Sequence, residues 1–314
     1  MERRESRLDG GLGVEAPRRL PGLHRFSHEA MATVFEVHTA HPDAGYAAQA
    51  AQAAFDLCDR LEAELSRFRT NSDVSRVNHL AAGEHTRVSP TTFECLAIAR
   101  QVYDLTGGAF DVSIGTGLTR LELDPDALAV RAVQEGARID LGGIGKGFAV
   151  DLMAVLLEEW GIGEGLVHGG FSSVLALDPP PGGAGWALTL SDPAVPSRVL
   201  ARLSVAQAAL SASGLRKGEH IRDPRTGQPA SGRSAAWVRV PRPDAARAEG
   251  AAGREGPRPA AVADALTTAF MLLDTAEIEA ICDASPGLDA WILPEAAEPP
   301  APADPLHFGR RPEP

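Results

Sequence analysis

The spacing of apolar residues changes several times along the chain, and each change marks an element. From Met31 to Ala40 (MATVFEVHTA) β-branched and aromatic residues dominate, which predicts a strand. From Ala44 to Phe68 the period becomes helical: Ala50, Ala54, Leu57, Leu61 and Leu65 fall at steps of three and four and form one stripe. Ser89-Pro90 supplies a cap residue and a first-turn proline for a helix that runs to about Leu105 and stops at Gly107-Gly108. Ala137–Leu141 (ARIDL) reads as a short strand, Gly142–Gly147 as a glycine-rich turn, and the following stretch as a helix ending near Trp160. Short apolar runs separated by turn signals follow at Leu166–His168, Ser173–Leu177, Trp186–Leu190, Val199–Val205, Ala208–Ser211 and Ala236–Val240. Helices are predicted over Ala263–Leu273 and Thr275–Ile281, and a strand over Asp289–Leu293. The pattern predicts an α+β fold with a mixed, largely antiparallel sheet flanked by helices. Residues 1–25 and 295–314 lack periodicity and are expected to be a disordered leader and a flexible tail. Residues 241–260, rich in Pro, Gly, Ala and Arg, are expected to be a flexible loop inserted in one domain over 26–294.

Composition narrows the function classes. Apolar residues make up 44% of the 314, enough for a sizeable core. The formal net charge of −12 argues against a nucleic-acid partner, because polyanion binders present clustered Lys and Arg. A phosphate-bearing ligand would therefore need a local device such as a metal ion or a helix N-terminus. Cys58, Cys95 and Cys282 have no zinc-site spacing and read as buried thiols. No apolar run approaches the ~18 residues of a membrane span. With neither a signal-peptide h-region nor a lipid-attachment cysteine visible, the expected compartment is the cytoplasm.

Three stretches hold candidate chemistry. Asp140–Asp151 (DLGGIGKGFAVD) puts a glycine turn ahead of a helix, where backbone N–H groups and the helix dipole favour phosphate and Lys146 adds a charge. Its spacing matches neither the P-loop nor the dinucleotide fingerprint, and a plain strand-to-helix turn explains it equally. In Ala263–Ala269 (ADALTTA), Asp264 and Thr268 share a helix face and offer hard oxygen donors suited to Mg²⁺. Helix capping by Asp264, with Thr268 bonded to the backbone, is the simpler alternative. His220, beside the Asp223-Pro224 turn, has the chemistry of a general base, although most lone histidines are not catalytic. His38, His79, His168 and His307 show no metal-ligand spacing and are taken as surface or packing residues.

Taken in order, these stretches resemble the ApbE-type FAD:protein FMN transferase family. The resemblance runs from about Met31 to Leu293 and is carried by Met31-Ala32-Thr33, Ser66–Arg69 with Ser75–Asn78, Thr106–Val112, DLGGIGKGFAVD, Gly169-Gly170, Ser213-Gly214, HIRDPRTG and ADALTTA. It implies two interleaved lobes with FAD in the cleft between them. FAD contacts are implied at Met31, Phe68, Ala109, Phe110, Asp111, Gly142, Gly143, Phe148, Ser213 and Ile221. Magnesium is implied on the side chains of Asp264 and Thr268 and the carbonyl of Gly145, with His220 as base and Lys146 as a further catalytic charge. The implied reaction is attack by a threonine hydroxyl of a partner flavoprotein on the FMN-side phosphorus of FAD, with AMP leaving. The same site offered water would act as an FAD pyrophosphatase, and a non-catalytic flavin binder is the remaining alternative. Phe68 stands where the family often has tyrosine, Phe171 where many members have Asp or Asn, and the usual Tyr-Arg pair after Ser213-Gly214 is missing.

Overall fold

The structure is a computed structural model that describes residues 11–15, 22–170, 172–215, 221–243, 258–295 and 304–309. His220, Phe171 and most of the 241–260 loop thus lie outside the described residues. In chain order the elements are β1 (Leu12–Val14), β2 (Leu23–Ala30), β3 (Thr33–Ala40), α1 (Ala44–Leu65), α2 (Asp73–Asn78), β4 (His85–Arg87) and α3 (Pro90–Leu105). Then come β5 (Leu121–Asp124), β6 (Ala129–Ala132), α4 (Gly145–Glu159), β7 (Gly165–Gly169), β8 (Ser173–Ala176), β9 (Trp186–Ser191) and β10 (Val199–Val205). β11 (Ala208–Gly214), β12 (Arg233–Pro241), α5 (Pro259–Phe270), α6 (Thr275–Ala284), β13 (Asp289–Pro294) and β14 (Leu306–Phe308) complete the set.

The α+β class holds. Among the described residues the main sheet has eight strands in the order β14-β13-β12-β11-β8-β7-β3-β2, every neighbouring pair antiparallel. Its strands alternate between two cores. In β8 and the residue after it, Leu175 and Leu177 face the helices α1, α4 and α5, while Val174 and Ala176 face a second, three-stranded sheet β1-β9-β10. Both faces of β7 and β8 are covered, so these two strands are buried along their whole length and show no alternation of buried and exposed residues. A small sheet β4-β6-β5 sits beside α2. Among the described residues, no helix is long and apolar enough to cross a membrane.

Several segments differ from expectation. Ala137–Leu141 is extended but forms no strand: the amide of Asn78 takes the place of a neighbouring strand, donating to Ile139 O at 3.0 Å and accepting from Ile139 N at 2.7 Å. Leu12–Val14, within the expected leader, pairs with β9, and Leu12 is buried in the smaller core. Leu306–Phe308, within the expected tail, pairs with β13. Helix α5 begins at Pro259 rather than Ala263, because both carboxylate oxygens of Asp151 on α4 cap its start, accepting from Ala260 N and Ala261 N. All three cysteines are buried and free.

Candidate active site

A cleft of about 690 Å³ opens where the β2–β3 turn, the end of α1, the 109–114 loop, the glycine turn, the end of β11 and α5 meet. This is the size of an ordinary small-molecule site.

Its inner end is made by two helices in backbone contact. A Cβ at Gly147 would lie 2.1 Å from Ala260 O, so only glycine lets α4 approach α5 this closely. The approach brings Asp264 of α5 against the first turn of α4. Asp264 is 3% exposed, and its Oδ2 accepts from Gly147 N at 3.1 Å and from Lys146 Nζ at 3.4 Å. Lys146 Nζ also donates to Gly142 O at 3.1 Å. Burial raises the Asp264 carboxyl above its ordinary value, against the pull of Lys146, the Gly147 N–H and the Ser173 hydroxyl. Thr268 lines the cleft one turn further on, its hydroxyl 3.6 Å from where a Gly143 Cβ would sit. Thr267 points elsewhere: its hydroxyl donates to Asp264 O at 2.7 Å and shares a hydrogen bond with Ser213 Oγ at 2.9 Å. The N-cap residue Ile144 offers no side-chain cap, and the Asp264 carboxylate caps the first turn of α4 instead, through Gly147 N.

The outer end is built on strained and exposed residues. Met31 and Ala32 form the two-residue turn between β2 and β3, at φ +49° and +57°, which suits a hairpin but is unfavourable for residues with a Cβ. Glu62 of α1 holds this turn by accepting from Met31 N at 2.7 Å, and its other oxygen accepts from Arg69 at 3.1 Å. Phe68 is 80% exposed, with the Arg67 guanidinium 4.4 Å over its ring. Arg67 pairs with Asp140 at 2.8 Å, whose second oxygen caps Gly142 N at 2.9 Å. This links the aromatic rim to the glycine turn. The Asp111 carboxylate is taken up in its own loop, accepting from Ser113 N, Ser113 Oγ and Gly115 N.

Of the residues singled out from sequence, Met31, Phe68, Ala109, Phe110, Asp111, Gly142, Gly143, Gly145, Lys146, Ser213, Ile221, Asp264 and Thr268 all line this cleft. Phe148 does not. It is fully buried in the larger core, because its place on α4 turns the side chain away from the cleft. No role is assigned from sequence to Glu62, nor individually to Arg67, Asp140 and Asp151, although these three lie in the Ser66–Arg69 and Asp140–Asp151 stretches. Asp151 left a signal, an acid within the apolar helix sequence four residues after Gly147.

The ApbE family model matches residues 31–127 and 116–254, well over half the chain. The chain belongs to the ApbE family. Among curated ApbE relatives, a FAD:protein FMN transferase of Vibrio cholerae is 25% identical over 217 residues, covering 56% of this chain and 64% of that protein. One of Klebsiella pneumoniae is 25% identical over 219 residues, covering 57% and 61%. The chain thus matches less than two thirds of the length of these relatives. The fold is that of the Pseudomonas stutzeri flavinyl transferase ApbE in its apo form, with a TM-score of 0.74 at 20% identity, covering 91% of this chain and 94% of that one.

Proposed function

We propose that this ApbE-family chain is a FAD:protein FMN transferase, moving FMN from FAD to a threonine hydroxyl of a partner flavoprotein and releasing AMP. One observation carries the reading: Lys146, Asp264 and Thr268 meet at the first turn of α4, in the same cleft as Met31, Phe68 and the 109–111 backbone. The apolar, aromatic outer end suits a flavin ring, and the inner end suits a pyrophosphate. The names of the curated relatives point the same way.

The inner end fits a magnesium ion. Asp264, Thr268 and the Gly145 carbonyl offer hard oxygen donors only, and a carboxylate whose ionised form is under-compensated by its surroundings favours an added cation. Bound there, the ion would neutralise charge on the pyrophosphate. The chain's own groups do the rest. Lys146 and the α4 N-terminus hold the phosphates, and Asp140 with Arg67 fixes the glycine turn. His220, adjoining the cleft residue Ile221, takes the threonine proton. The threonine oxygen forms its bond to the FMN-side phosphorus as the bridging bond to the AMP-side phosphate breaks, a displacement governed by positioning and charge.

The deciding experiment mixes the protein with FAD, Mg²⁺ and an acceptor domain bearing an exposed threonine. The expected result is an acceptor heavier by the mass of FMN, with AMP released in equal amount. FMN and AMP without a heavier acceptor would make the protein a pyrophosphatase. Bound FAD without AMP would make it a flavin binder.

A further inference from the structure

Away from the cleft, between the main sheet and β1-β9-β10, three ligand-bearing side chains meet in an otherwise apolar layer. Glu36 and His38 alternate onto the same face of β3, and His168 on β7 is the register partner of Glu36. All three are buried, with relative exposures of 5%, 2% and 0%, and the edge of the Trp186 ring packs against His38. Glu36 Oε2 lies 3.1 Å from His38 Nε2 and 2.9 Å from His168 Nε2. Arg25, whose side chain is half exposed, donates its Nε to the same oxygen at 2.8 Å and its Nη2 to Oε1.

This places three nitrogens on one oxygen. A carboxylate oxygen has about two lone-pair directions, so the two imidazoles and Arg25 cannot all donate to Oε2 with good geometry. A nitrogen that does not donate turns its own lone pair on the carboxylate, which is repulsive in a dry layer. A cation among the three atoms removes the conflict, because both Nε2 lone pairs and Oε2 then bind it. We propose that Glu36, His38 and His168 form a second metal site, for a zinc-class divalent ion, distinct from the oxygen-donor end of the cleft. Two imidazoles and one carboxylate are a recurrent zinc ligand set, with ligand distances of about 2.0–2.2 Å and a fourth position for water. The three ligand atoms lie within 4.8 Å of one another, close enough for one ion to reach all of them. Arg25 both orients the carboxylate and covers the approach from solvent. Such an ion would staple β3 to β7, whose ends border the cleft at the Met31–Ala32 turn and at Gly170.

The test uses the full chain stripped with a chelator and titrated with Co²⁺ or Zn²⁺ alone. The expected results are a single tight equivalent, visible-range absorption typical of Co²⁺ at low coordination number, and thermal protection of roughly several degrees at 100-fold excess over Kd. Any protection by Mg²⁺ should vanish in Asp264→Ala, whereas protection by Co²⁺ or Zn²⁺ should remain. Asp264→Ala should keep the Co²⁺ signal, whereas His168→Ala and the milder Glu36→Gln should lose it. Failure of the wild-type chain to bind either ion tightly would overturn the proposal and leave a hydrogen-bonded cluster. So would a Co²⁺ signal that survives Glu36→Gln but is lost in Asp264→Ala. Wild-type binding is read directly, so the proposal stays testable even if His168→Ala fails to fold.

Discussion

Asp264 and Glu36 are both buried carboxylates beside a cation, yet their surroundings push them in opposite directions. Burial acts to raise both. At Asp264 it wins, because a lysine at 3.4 Å and one backbone N–H compensate only in part. At Glu36 it loses to His168, His38 and Arg25, which hold the carboxyl far below the usual carboxylate range. Burial alone therefore does not set the protonation of an acid; the donors aimed at it do. The ligand groups nearby differ as well: Thr268 and Gly145, which can offer oxygen ligands, line the cleft with Asp264, whereas two imidazole nitrogens meet Glu36. The first set suits a hard ion, the second a softer one.

The largest expected effect tests whether the Asp264 end is the reacting end. His220→Ala should lower FMN transfer by about 10²–10⁴-fold while FAD affinity changes little. If His220→Asn transfers FMN at a near-normal rate, the base lies elsewhere. Asp264→Ala should lower kcat/KM by about 10²–10³-fold, as loss of one preorganised electrostatic group does. Wild-type turnover at limiting Mg²⁺ in that variant would end the contrast between a hard and a soft site. Gly147→Ala sharpens the comparison from the side of structure. The added methyl collides with Ala260 O, so stability should fall by about 3 kcal/mol in denaturant melts, and activity with it. An unchanged midpoint would mean that the helices are not in backbone contact.

The smallest effect concerns Asp151, a third buried acid, whose carboxyl burial pushes up from 3.8 to about 7. The folded state then holds a proton that the unfolded state has released, so this group's contribution to stability falls as pH rises from about 4 to about 7. Asp151→Asn should flatten the pH dependence of stability across that window. A slope identical to wild type would show that Asp151 does not titrate there.

Much of this was legible in the chain. The i, i+4 relation of Asp264 and Thr268 put both on the cleft side of α5, and Ser89-Pro90 opened α3 as its chemistry requires. Other features were hidden for physical reasons. A glycine turn specifies backbone but not the direction of the next side chain, so Phe148 read as a cleft residue although α4 turns it into the core. Ala137–Leu141 looked like a strand because it has strand-like composition, and nothing local reveals that its partner is the side chain of Asn78. Glu36 and His38 alternate with Phe35 and Val37 as solvent-facing residues of a half-covered strand would. Only the β1-β9-β10 sheet, one strand of which comes from a three-residue LGV segment too short to show periodicity, makes that face an interior.

The contact at Gly147 also bears on how the molecule can change. Where the backbones of α4 and α5 touch at Gly147 there is no compressible layer, and Asp151 and Asp264 tie the two helices together on either side, so neither can slide or tilt there without its backbone striking the other. The charged inner end of the cleft is therefore one frame, and a substitution that enlarges this contact disturbs every group on it together. The rim is different. Phe68 and Ile114 stand in solvent with little packed around them, so side chains there can be exchanged one at a time. Variation in what docks at the mouth of the cleft is open to gradual adjustment, while the inner end is inherited whole.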